Sequence, residues 1–316
     1  MQLRPLGRTG LSIAPVVFGG NVFGWTADEK TSFDLLDAFF DAGYNTIDTA
    51  DVYSAWVDSH VGGESETIIG KWLKRGSVSR DRAVIVTKVG FDNKGNKTGL
   101  SKGWIAEAVE ASLKRLDTDY IDLYLAHKPD TETPVEETLE AFSKLKDAGK
   151  IRAIGCSNYD EMQLKASLDA AEKAGLPRFD VLQPEYNLYT RQKFEGPIAD
   201  LCIAENIGVI SYYALAAGFL TGKYRKVEDA AGKARGGRVG DYLNPRGESV
   251  LAALDEVARE TGTSMATVAI AWVAARPGIT APIASATSLE QLTAMTAAGT
   301  LTLSDAQMAR LTEAGA

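Results

Sequence analysis

The chain has 316 residues, of which 45% are hydrophobic and 24% are charged, and its formal net charge at pH 7 is -8. These values are typical of a globular protein with a large core, and the length fits one α/β barrel or two smaller domains. The negative net charge argues against nucleic acid or an anionic membrane as the main partner, while a local basic pocket for a phosphate stays compatible with it.

The cysteines and the first residues indicate the compartment. Cys156 and Cys202 are the only two cysteines, and their spacing fits neither a metal site nor a disulfide framework. The N-terminus has no apolar run like that of a signal peptide, and no stretch is long enough to span a membrane. We therefore expect a soluble cytoplasmic protein with no metal site, either a monomer or a weak oligomer.

Strand and helix patterns alternate after a short hairpin predicted over residues 2–13. Eight apolar, β-branched runs are typical of buried parallel strands. They are predicted at residues 14–20, 46–47, 83–87, 121–125, 151–155, 181–183, 209–211 and 279–283. The main helices are predicted at residues 28–42, 64–74, 101–116, 135–148, 160–174, 197–205, 289–298 and 304–313. The glycine-rich segment 222–247 is predicted as a long loop, whose role the sequence leaves open.

Eight strand-then-helix units are what a closed parallel barrel requires. Glycine follows several predicted helices, as C-terminal caps do, at Gly43, Gly149, Gly175 and Gly208. An open doubly wound sheet is the alternative, but neither of its common phosphate-binding fingerprints occurs in the chain. The prediction is a (β/α)8 TIM barrel that forms a single domain over residues 1–316, with an N-terminal β-hairpin and extra C-terminal helices.

The active site of such a barrel lies at the carboxyl ends of its strands. Polar side chains follow several of the predicted strands, namely Asp48, Tyr53, Lys88, His127, Ser157, Asn158 and Gln183. Each of them alone has an ordinary structural explanation, such as a helix cap or a solvated surface charge. Their convergence on one rim is harder to explain by accident, and His127 is one of only two histidines.

This set suits proton transfer at a carbonyl oxygen. A free tyrosine has a pKa of about 10, and we expect a nearby Lys88 ammonium to lower the pKa of Tyr53. Asp48 can keep Lys88 charged in a dry site, and His127 can donate a hydrogen bond to the carbonyl oxygen. Because no side chain transfers a hydride, a nicotinamide cofactor is implied.

Sequence motifs are spread over nearly the whole chain. They are Leu6-Gly7-Arg8-Thr9-Gly10-Leu11, Ile47-Asp48-Thr49-Ala50 with Tyr53, Gly63-Glu64-Ser65-Glu66, Thr87-Lys88-Val89, Asp122-Leu123-Tyr124 with His127-Lys128-Pro129-Asp130, residues 149–158, Gln183-Pro184-Glu185-Tyr186-Asn187, and Leu220-Thr221-Gly222-Lys223-Tyr224. With these motifs the chain resembles the aldo-keto reductases, NAD(P)(H)-dependent oxidoreductases on a (β/α)8 barrel, and most closely the bacterial members with a short C-terminus.

The resemblance implies a role for each matching residue. Asp48, Tyr53, Lys88 and His127 match the family's catalytic tetrad. Cofactor contacts are implied for Gly20, Asn21, Ser157, Asn158, Gln183, Tyr212, Leu215, Gly218, Leu220, Gly222, Lys223, Ser285, Thr287 and Gln291. Among these, Tyr212 matches the aromatic that stacks on the nicotinamide, and residues 218–223 match the loop over the pyrophosphate. For the neighbouring Tyr213, filling of the barrel core is an equally good interpretation.

The choice of nucleotide depends on a departure from the family pattern. Members that prefer NADPH typically have an arginine where this chain has Thr287, and a Glu-Asn pair where it has Ala294-Met295. Losing a bidentate phosphate clamp weakens the case for NADP. Nearby hydroxyls or Lys223 could compensate. The resemblance therefore favours NADP(H) narrowly, with NAD(H) or dual use as the rival.

The expected substrate pocket is aromatic. Trp25, Trp56, Phe91 and Tyr186 are its predicted walls, and the connection after Tyr53 is longer than in many members. Such walls suit a neutral carbonyl compound or a sugar face, although the tryptophans could simply pack the loop. The predicted function is reduction of aldehydes or ketones, or the reverse oxidation. A cofactor-sensing regulatory subunit is the alternative, and a cofactor-free barrel lyase or isomerase is a weaker one.

Overall fold

Eight parallel strands close into a barrel in the computed structural model, which describes residues 1–91, 99–234 and 236–316. The barrel strands are β3 (Val17–Gly19), β4 (Thr46–Asp48), β5 (Val84–Val89), β6 (Ile121–Ala126), β7 (Ile151–Ser157), β8 (Val181–Gln183), β9 (Gly208–Ser211) and β10 (Ala281–Ala284). They pair in chain order, and β10 closes the ring by pairing with β3. The prediction of a (β/α)8 barrel is confirmed.

Helices surround the strands and extend beyond the eighth unit. They are α1 (Glu29–Asp41), α2 (Glu64–Arg75), α3 (Lys102–Leu116), α4 (Val135–Asp147), α5 (Glu161–Ala174), α6 (Pro197–Ala204), α7 (Pro245–Thr261), α8 (Met265–Ala274), α9 (Leu289–Ala298) and α10 (Asp305–Ala314). In α10, Ser304 and Gln307 form a reciprocal capping box, which defines the start of this helix. None of the helices in these described ranges is long and apolar enough to cross a membrane.

The N-terminal hairpin closes one end of the barrel. Its strands β1 (Arg4–Pro5) and β2 (Ser12–Ile13) pair antiparallel, as predicted. Leu6 and Ile13 are fully buried and belong to the cluster of inward-facing residues contributed by the barrel strands. The Arg4 guanidinium donates hydrogen bonds to the carbonyls of Ala274 and Thr280, at 2.8 and 2.9 Å. The hairpin is therefore tied to both the interior and the helical layer.

Two local predictions need correction. Gly208 is not a helix cap, because it begins β9, and α6 ends instead through Asn206, which takes a φ of 50°. Gly208 is required by close packing, since a Cβ atom there would lie only 2.6 Å from Leu6. The segment predicted as one long loop over residues 222–247 contains 3-10 turns at Val227–Ala230 and Gly236–Tyr242, and α7 begins inside it at Pro245.

Candidate active site

A buried ammonium lies at the centre of the strand-end cluster. Lys88 is fully buried on β5, and its Nζ donates to both carboxylate oxygens of Asp48, at 2.7 and 2.8 Å. It also lies 2.7 Å from the carbonyl oxygen of Thr49 and 2.9 Å from the hydroxyl of Tyr53. An ammonium without counter-charge would be strongly destabilised in this setting, so Asp48 at the end of β4 is what allows Lys88 to stay charged.

Tyr53 presents a protonated phenol beside that ammonium. Its hydroxyl donates to Asp48 Oδ2 at 3.1 Å, and burial followed by the charge of Asp48 raises the pKa of Tyr53 well above its ordinary value. The expectation that Lys88 makes the pKa of Tyr53 low is therefore wrong for this structure. The phenol is instead a proton donor whose conjugate base has a cation 2.9 Å away.

His127 follows β6 as a neutral imidazole. Burial, Lys88 and Lys128 hold the pKa of His127 well below its ordinary value. The ring lies edge-on to Tyr53, with centroids 6.1 Å apart, and 5.0 Å from Phe91. Its buried Nδ1 has no hydrogen-bond partner among the described residues. A neutral imidazole at this rim can hydrogen-bond to a carbonyl substrate without adding charge.

The next strand ends form one polar network with the tetrad. The side-chain amide of Gln183 donates to Asp48 Oδ1 at 2.8 Å, and the hydroxyl of Ser157 donates to the Gln183 carbonyl at 2.8 Å. Asn158 takes a φ of 63°, donates to the His127 carbonyl at 2.9 Å, and accepts from the Tyr212 hydroxyl at 2.7 Å. The structure thus brings together strand-end residues that lie far apart along the chain.

The residues expected to hold the rest of a nucleotide lie on two segments after β9 and β10. Ala217, Gly218 and Gly222 take positive φ angles of 57°, 93° and 77°, a backbone conformation that favours anion-binding concavities. Leu220 is fully buried in the core, and its backbone N–H donates to the Leu215 carbonyl, so the structure gives no support for a direct contact between Leu220 and a ligand. Lys223 is exposed, with its Nζ 4.9 Å from the Tyr224 ring centroid.

The segment after β10 offers hydroxyl and amide groups. Ser285 donates to the side chain of Asn21 at 2.7 Å, next to Gly20 at the end of β3. The backbone N–H of Thr287 donates to Gln291 Oε1 at 2.9 Å, and its hydroxyl lies 3.2 Å from the same oxygen. The hydroxyl, amide and backbone groups of these segments are of the kind that would hold a dinucleotide, and residues 212, 218 and 287 would contact it if one bound here.

Three of the four predicted pocket aromatics lie around the tetrad. Trp25 and Trp56 pack edge to face at 5.4 Å, and the Trp56 ring lies 6.0 Å from that of Tyr53. Trp56 is 47% exposed and Phe91 is 42% exposed. Tyr186 is a correction, because it is 1% exposed, stacks on Trp272 and donates to Glu195 at 2.6 Å. It belongs to the core behind β8 and not to the pocket.

The structure also adds a residue that the sequence did not single out. The guanidinium of Arg238 lies 5.1 Å from the ring centroid of Tyr213, which is half-buried and takes a φ of 60°. Tyr213 is therefore not simply barrel-core filling. Arg238 belongs to the glycine-rich segment, where no periodicity reveals which side chain will turn back toward the barrel.

Comparisons with known proteins agree with this geometry. A family model described as "Aldo/keto reductase family" matches residues 15–316. The chain belongs to the aldo/keto reductase family. It is similar to an "Aldo-keto reductase YhdN" of Bacillus subtilis, with 35% identity over 88% of this chain and 82% of the relative. It is also similar to an "Uncharacterized oxidoreductase YrpG" of the same species, with 35% identity over 92% and 89% of the two chains.

Other relatives in this family carry a different description. A "Probable voltage-gated potassium channel subunit beta" of Arabidopsis thaliana is 34% identical, over 92% of this chain and 89% of the relative. Family membership supports oxidoreductase activity, whereas the reaction itself has to be inferred from this chain's own site.

Proposed function

We propose that this aldo-keto reductase reduces an aldehyde or ketone to an alcohol with a nicotinamide cofactor, or oxidises the alcohol in reverse. The observation that supports this most directly is the contact between Lys88 Nζ, both oxygens of Asp48 and the hydroxyl of Tyr53. This arrangement keeps the Tyr53 phenol protonated in a dry site and places the Lys88 ammonium where it can stabilise the phenolate. General acid catalysis at a carbonyl oxygen needs both features.

The chain's own residues handle the proton. A carbonyl oxygen next to Tyr53 receives its hydroxyl proton as carbon–oxygen double-bond character is lost, and His127 hydrogen-bonds to and orients the oxygen. The developing phenolate is stabilised by Lys88, whose charge Asp48 maintains. When bound, the nicotinamide supplies the hydride to the carbonyl carbon. In the oxidative direction the same phenolate takes the proton back.

For the cofactor we propose NADP(H), narrowly ahead of NAD(H). The preference rests on the resemblance to the family, because Ser285, Thr287 and Gln291 offer only uncharged contacts near the start of α9 and position 287 is not an arginine. The shift in melting temperature with each of NADPH, NADP, NADH and NAD measures the preference, because a ligand bound by the folded state raises that temperature. A larger shift with NADH than with NADPH would overturn this choice.

For the substrate we propose a neutral carbonyl compound with a planar or ring-shaped group. Trp56 offers an exposed face beside Tyr53, and Trp25 supports it edge-on. A Trp56→Ala variant is expected to raise KM for a nitrobenzaldehyde about tenfold while leaving KM for a short aliphatic aldehyde nearly unchanged. Equal changes for both aldehydes would mean that Trp56 only packs the loop.

The decisive experiment is turnover by a Tyr53→Phe variant. With a nitrobenzaldehyde and the preferred cofactor, followed at the nicotinamide absorbance, we expect the variant to bind cofactor normally and to lose at least about 100-fold in kcat. A Tyr44→Phe variant is the control, because that phenol is buried near α9, away from the site, and donates to the Thr296 carbonyl. Full turnover by the Tyr53 variant would sink the assignment.

A regulatory role is the second candidate. It is favoured by the similarity to the probable channel beta subunits of Arabidopsis thaliana and Oryza sativa, at 34% and 35% identity. A subunit of this kind would bind cofactor without physiological turnover. Cofactor binding together with turnover near background for a broad carbonyl panel would favour it over the reductase.

A further inference from the structure

The first turn of α2 is hydrogen-bonded to the ends of three strands behind Asp48, Tyr53 and Lys88. The hydroxyl of Ser65 donates to the carbonyl of Gly20 at 2.8 Å and accepts from the hydroxyl of Thr49 at 2.8 Å. The neighbouring Glu66 accepts from the hydroxyl of Thr87 at 2.6 Å. Thr49 supplies a carbonyl to the Lys88 ammonium, and Thr87 precedes Lys88, so this turn contacts both sides of the catalytic lysine.

Glu66 brings a negative charge into the interior. Its side chain is fully buried, and Oε2 accepts from Arg115 Nε at 2.7 Å. The Arg115 side chain is 27% exposed and also donates to Ser112 at 3.2 Å. Glu66 therefore forms a buried ion pair that links a surface-facing arginine on α3 to the strand that carries Lys88.

Asp51 is a second carboxyl in the same space. It is buried, its backbone N–H donates to the Lys88 carbonyl at 3.3 Å, and its Oδ1 has no hydrogen-bond partner among the described residues. The charges of Glu66 on α2, Arg115 on α3 and Lys88 on β5 act on its carboxyl, and that carboxyl acts in turn on the buried phenol of Tyr124 on β6. Burial and then Glu66 raise the pKa of Asp51 to about 8, so the group is protonated at neutral pH.

These carboxyls oppose the effect of burial on Lys88. Burial lowers the pKa of Lys88, while Asp48 first, and then Asp51 and Glu66, raise it. Asp48 touches the ammonium directly, whereas Asp51 and Glu66 act on it through the low-dielectric interior. Ionisation of Asp51 as the pH rises adds a negative charge near Lys88. That charge raises the pKa of Lys88 and so favours its protonated form at alkaline pH.

Resting on the proposed reductase function, we propose that Glu66 and Asp51 are positioning residues for the catalytic ammonium. Glu66, held by Arg115 and Thr87, fixes the strand end and favours the charged form of Lys88 against the effect of burial. Asp51 is neutral at low pH, ionises as the pH rises, and thereby extends the alkaline range over which Lys88 can stabilise the Tyr53 phenolate.

The test compares pH profiles of kcat for Glu66→Gln and Asp51→Asn with the wild-type enzyme. In both variants we expect the alkaline loss of kcat to begin at lower pH, because an anion near Lys88 is gone. Asp51→Asn should match the wild type within about twofold below pH 7, where the carboxyl is already neutral. Glu66→Gln should lose about tenfold in kcat at pH 7 with little change in KM.

Glu29→Gln is the matched control, since Glu29 at the start of α1 forms an exposed ion pair, at 2.6 Å, with Lys71 of α2, the helix that also carries Glu66. It should leave the profile unchanged. If Glu66→Gln folds poorly, the double variant Glu66→Gln, Arg115→Gln removes both charges of the pair, and its alkaline limb should still begin at lower pH than that of the wild type. If the pH profiles of kcat for wild type, Asp51→Asn and a folded Glu66 variant coincide, the proposal is overturned.

A readout without turnover separates this proposal from the reductase function. In protein labelled at aspartate Cγ with carbon-13, one aspartate should titrate near a pKa of about 8. That signal should vanish in Asp51→Asn and move to lower pH in Glu66→Gln, because repulsion by Glu66 is lost. An unchanged titration in Glu66→Gln would refute the coupling even in an active enzyme. The expected titrations in a chain that turns over nothing would refute only the reductase.

Discussion

Asp48 organises the site as an acceptor and not as a base. Its two oxygens receive Lys88 twice, the amide of Gln183 and the hydroxyl of Tyr53, all within 3.1 Å. A carboxylate with this many donors has little capacity left for a proton from substrate. Its role follows from the count of donors, and Tyr53 remains the side chain able to exchange a proton with a carbonyl oxygen.

His127 should contribute a hydrogen bond and no charge. Because burial, Lys88 and Lys128 hold the pKa of His127 well below its ordinary value, the kcat/KM profile should show no inflection near pH 6.5. His127→Ala is expected to lower kcat about 100-fold, as loss of one such donor does, and His127→Gln should recover part of that loss. A wild-type inflection near pH 6.5 that His127→Gln removes would contradict a neutral imidazole.

Asp51 should make stability depend on pH. Its pKa is about 8 in the folded chain and about 3.9 in the unfolded chain, so the folded state binds the extra proton between these values. The contribution of this group to the free energy of unfolding is greatest below about pH 4 and is lost as the pH rises through 8. From pH 5 to 8 the wild type should lose up to about 4 kcal/mol relative to Asp51→Asn.

Urea unfolding at pH 5, 6.5 and 8 measures that difference. Asp81→Asn is the control, since Asp81 is exposed and its pKa is lowered by hydrogen bonds with Ser79 and the backbone. Parallel losses of stability in wild type and Asp51→Asn would show that Asp51 ionises normally when folded.

That Asp48, Tyr53, Lys88 and His127 lie together could be predicted from the sequence, because barrel topology brings consecutive strand ends to one rim, whatever their separation along the chain. The pKa of Tyr53 could not, since it depends on burial and on the direction of its hydroxyl toward Asp48. Tyr186 was misplaced for the same reason. It follows Gln183 closely in sequence, yet its ring turns outward to Trp272. Glu66 carried only the signal of its motif, and Asp51 was not singled out from the sequence.

At the scale of elements, the start of α2 couples the pocket loop to the buried charges. Gly63, the last residue of the loop that carries Trp56, caps α2 with a φ of 86°, and the Arg115 side chain packs against its Cα. The carboxylate of Glu64 accepts the backbone N–H groups of Val61 and Gly62, at 2.8 and 3.0 Å. The loop that sets the pocket wall therefore ends on the arginine that balances Glu66.

Gly63→Ala should be more destabilising than its backbone conformation alone explains. A Cβ atom at Gly63 would meet Nε and Cδ of Arg115, whereas at Gly76, which caps the other end of α2 with a φ of 74°, it would meet nothing within 4 Å. We expect Gly76→Ala to cost about 1 kcal/mol and Gly63→Ala about 2 kcal/mol more, because Arg115 must move away from the buried Glu66. Denaturant unfolding of both variants measures the difference, and equal losses would show that Arg115 adapts freely.

Element positions were predictable where periodicity was strong and poorly so where glycine dominates. The predicted strand over residues 14–20 shortens to Val17–Gly19, since strand ends depend on pairing with β4 and β10. The 3-10 turns of the segment after β9 escaped prediction because they are held by tertiary contacts, such as Arg238 above Tyr213, and not by an apolar repeat.

At the scale of the whole molecule, stability and chemistry are divided between the two ends of the barrel. The carboxyl ends of the strands carry buried charges and residues with positive φ, at Asn158, Tyr213 and Ala217 among others. The opposite end is closed by the apolar hairpin residues Leu6 and Ile13. A barrel built this way can hold buried charges and strained residues, which lower its stability, at one end because the other end is packed as an ordinary apolar core.

Leu6 offers a test of that division. It is fully buried at the closed end, against the start of β9, while Leu3 of the same N-terminal region is 44% exposed. Leu6→Ala should lower the free energy of unfolding by about 3 kcal/mol, because the cavity is enclosed by barrel backbone that cannot collapse onto it. Leu3→Ala should change it by less than about 0.5 kcal/mol. Urea unfolding gives both values.

Turnover should not follow stability in this variant. The kcat of the folded Leu6→Ala enzyme should equal that of wild type, because the rim that holds Lys88 and Tyr53 lies at the other end. A several-fold loss of kcat in folded Leu6→Ala would show instead that packing at the closed end reaches the catalytic strand ends.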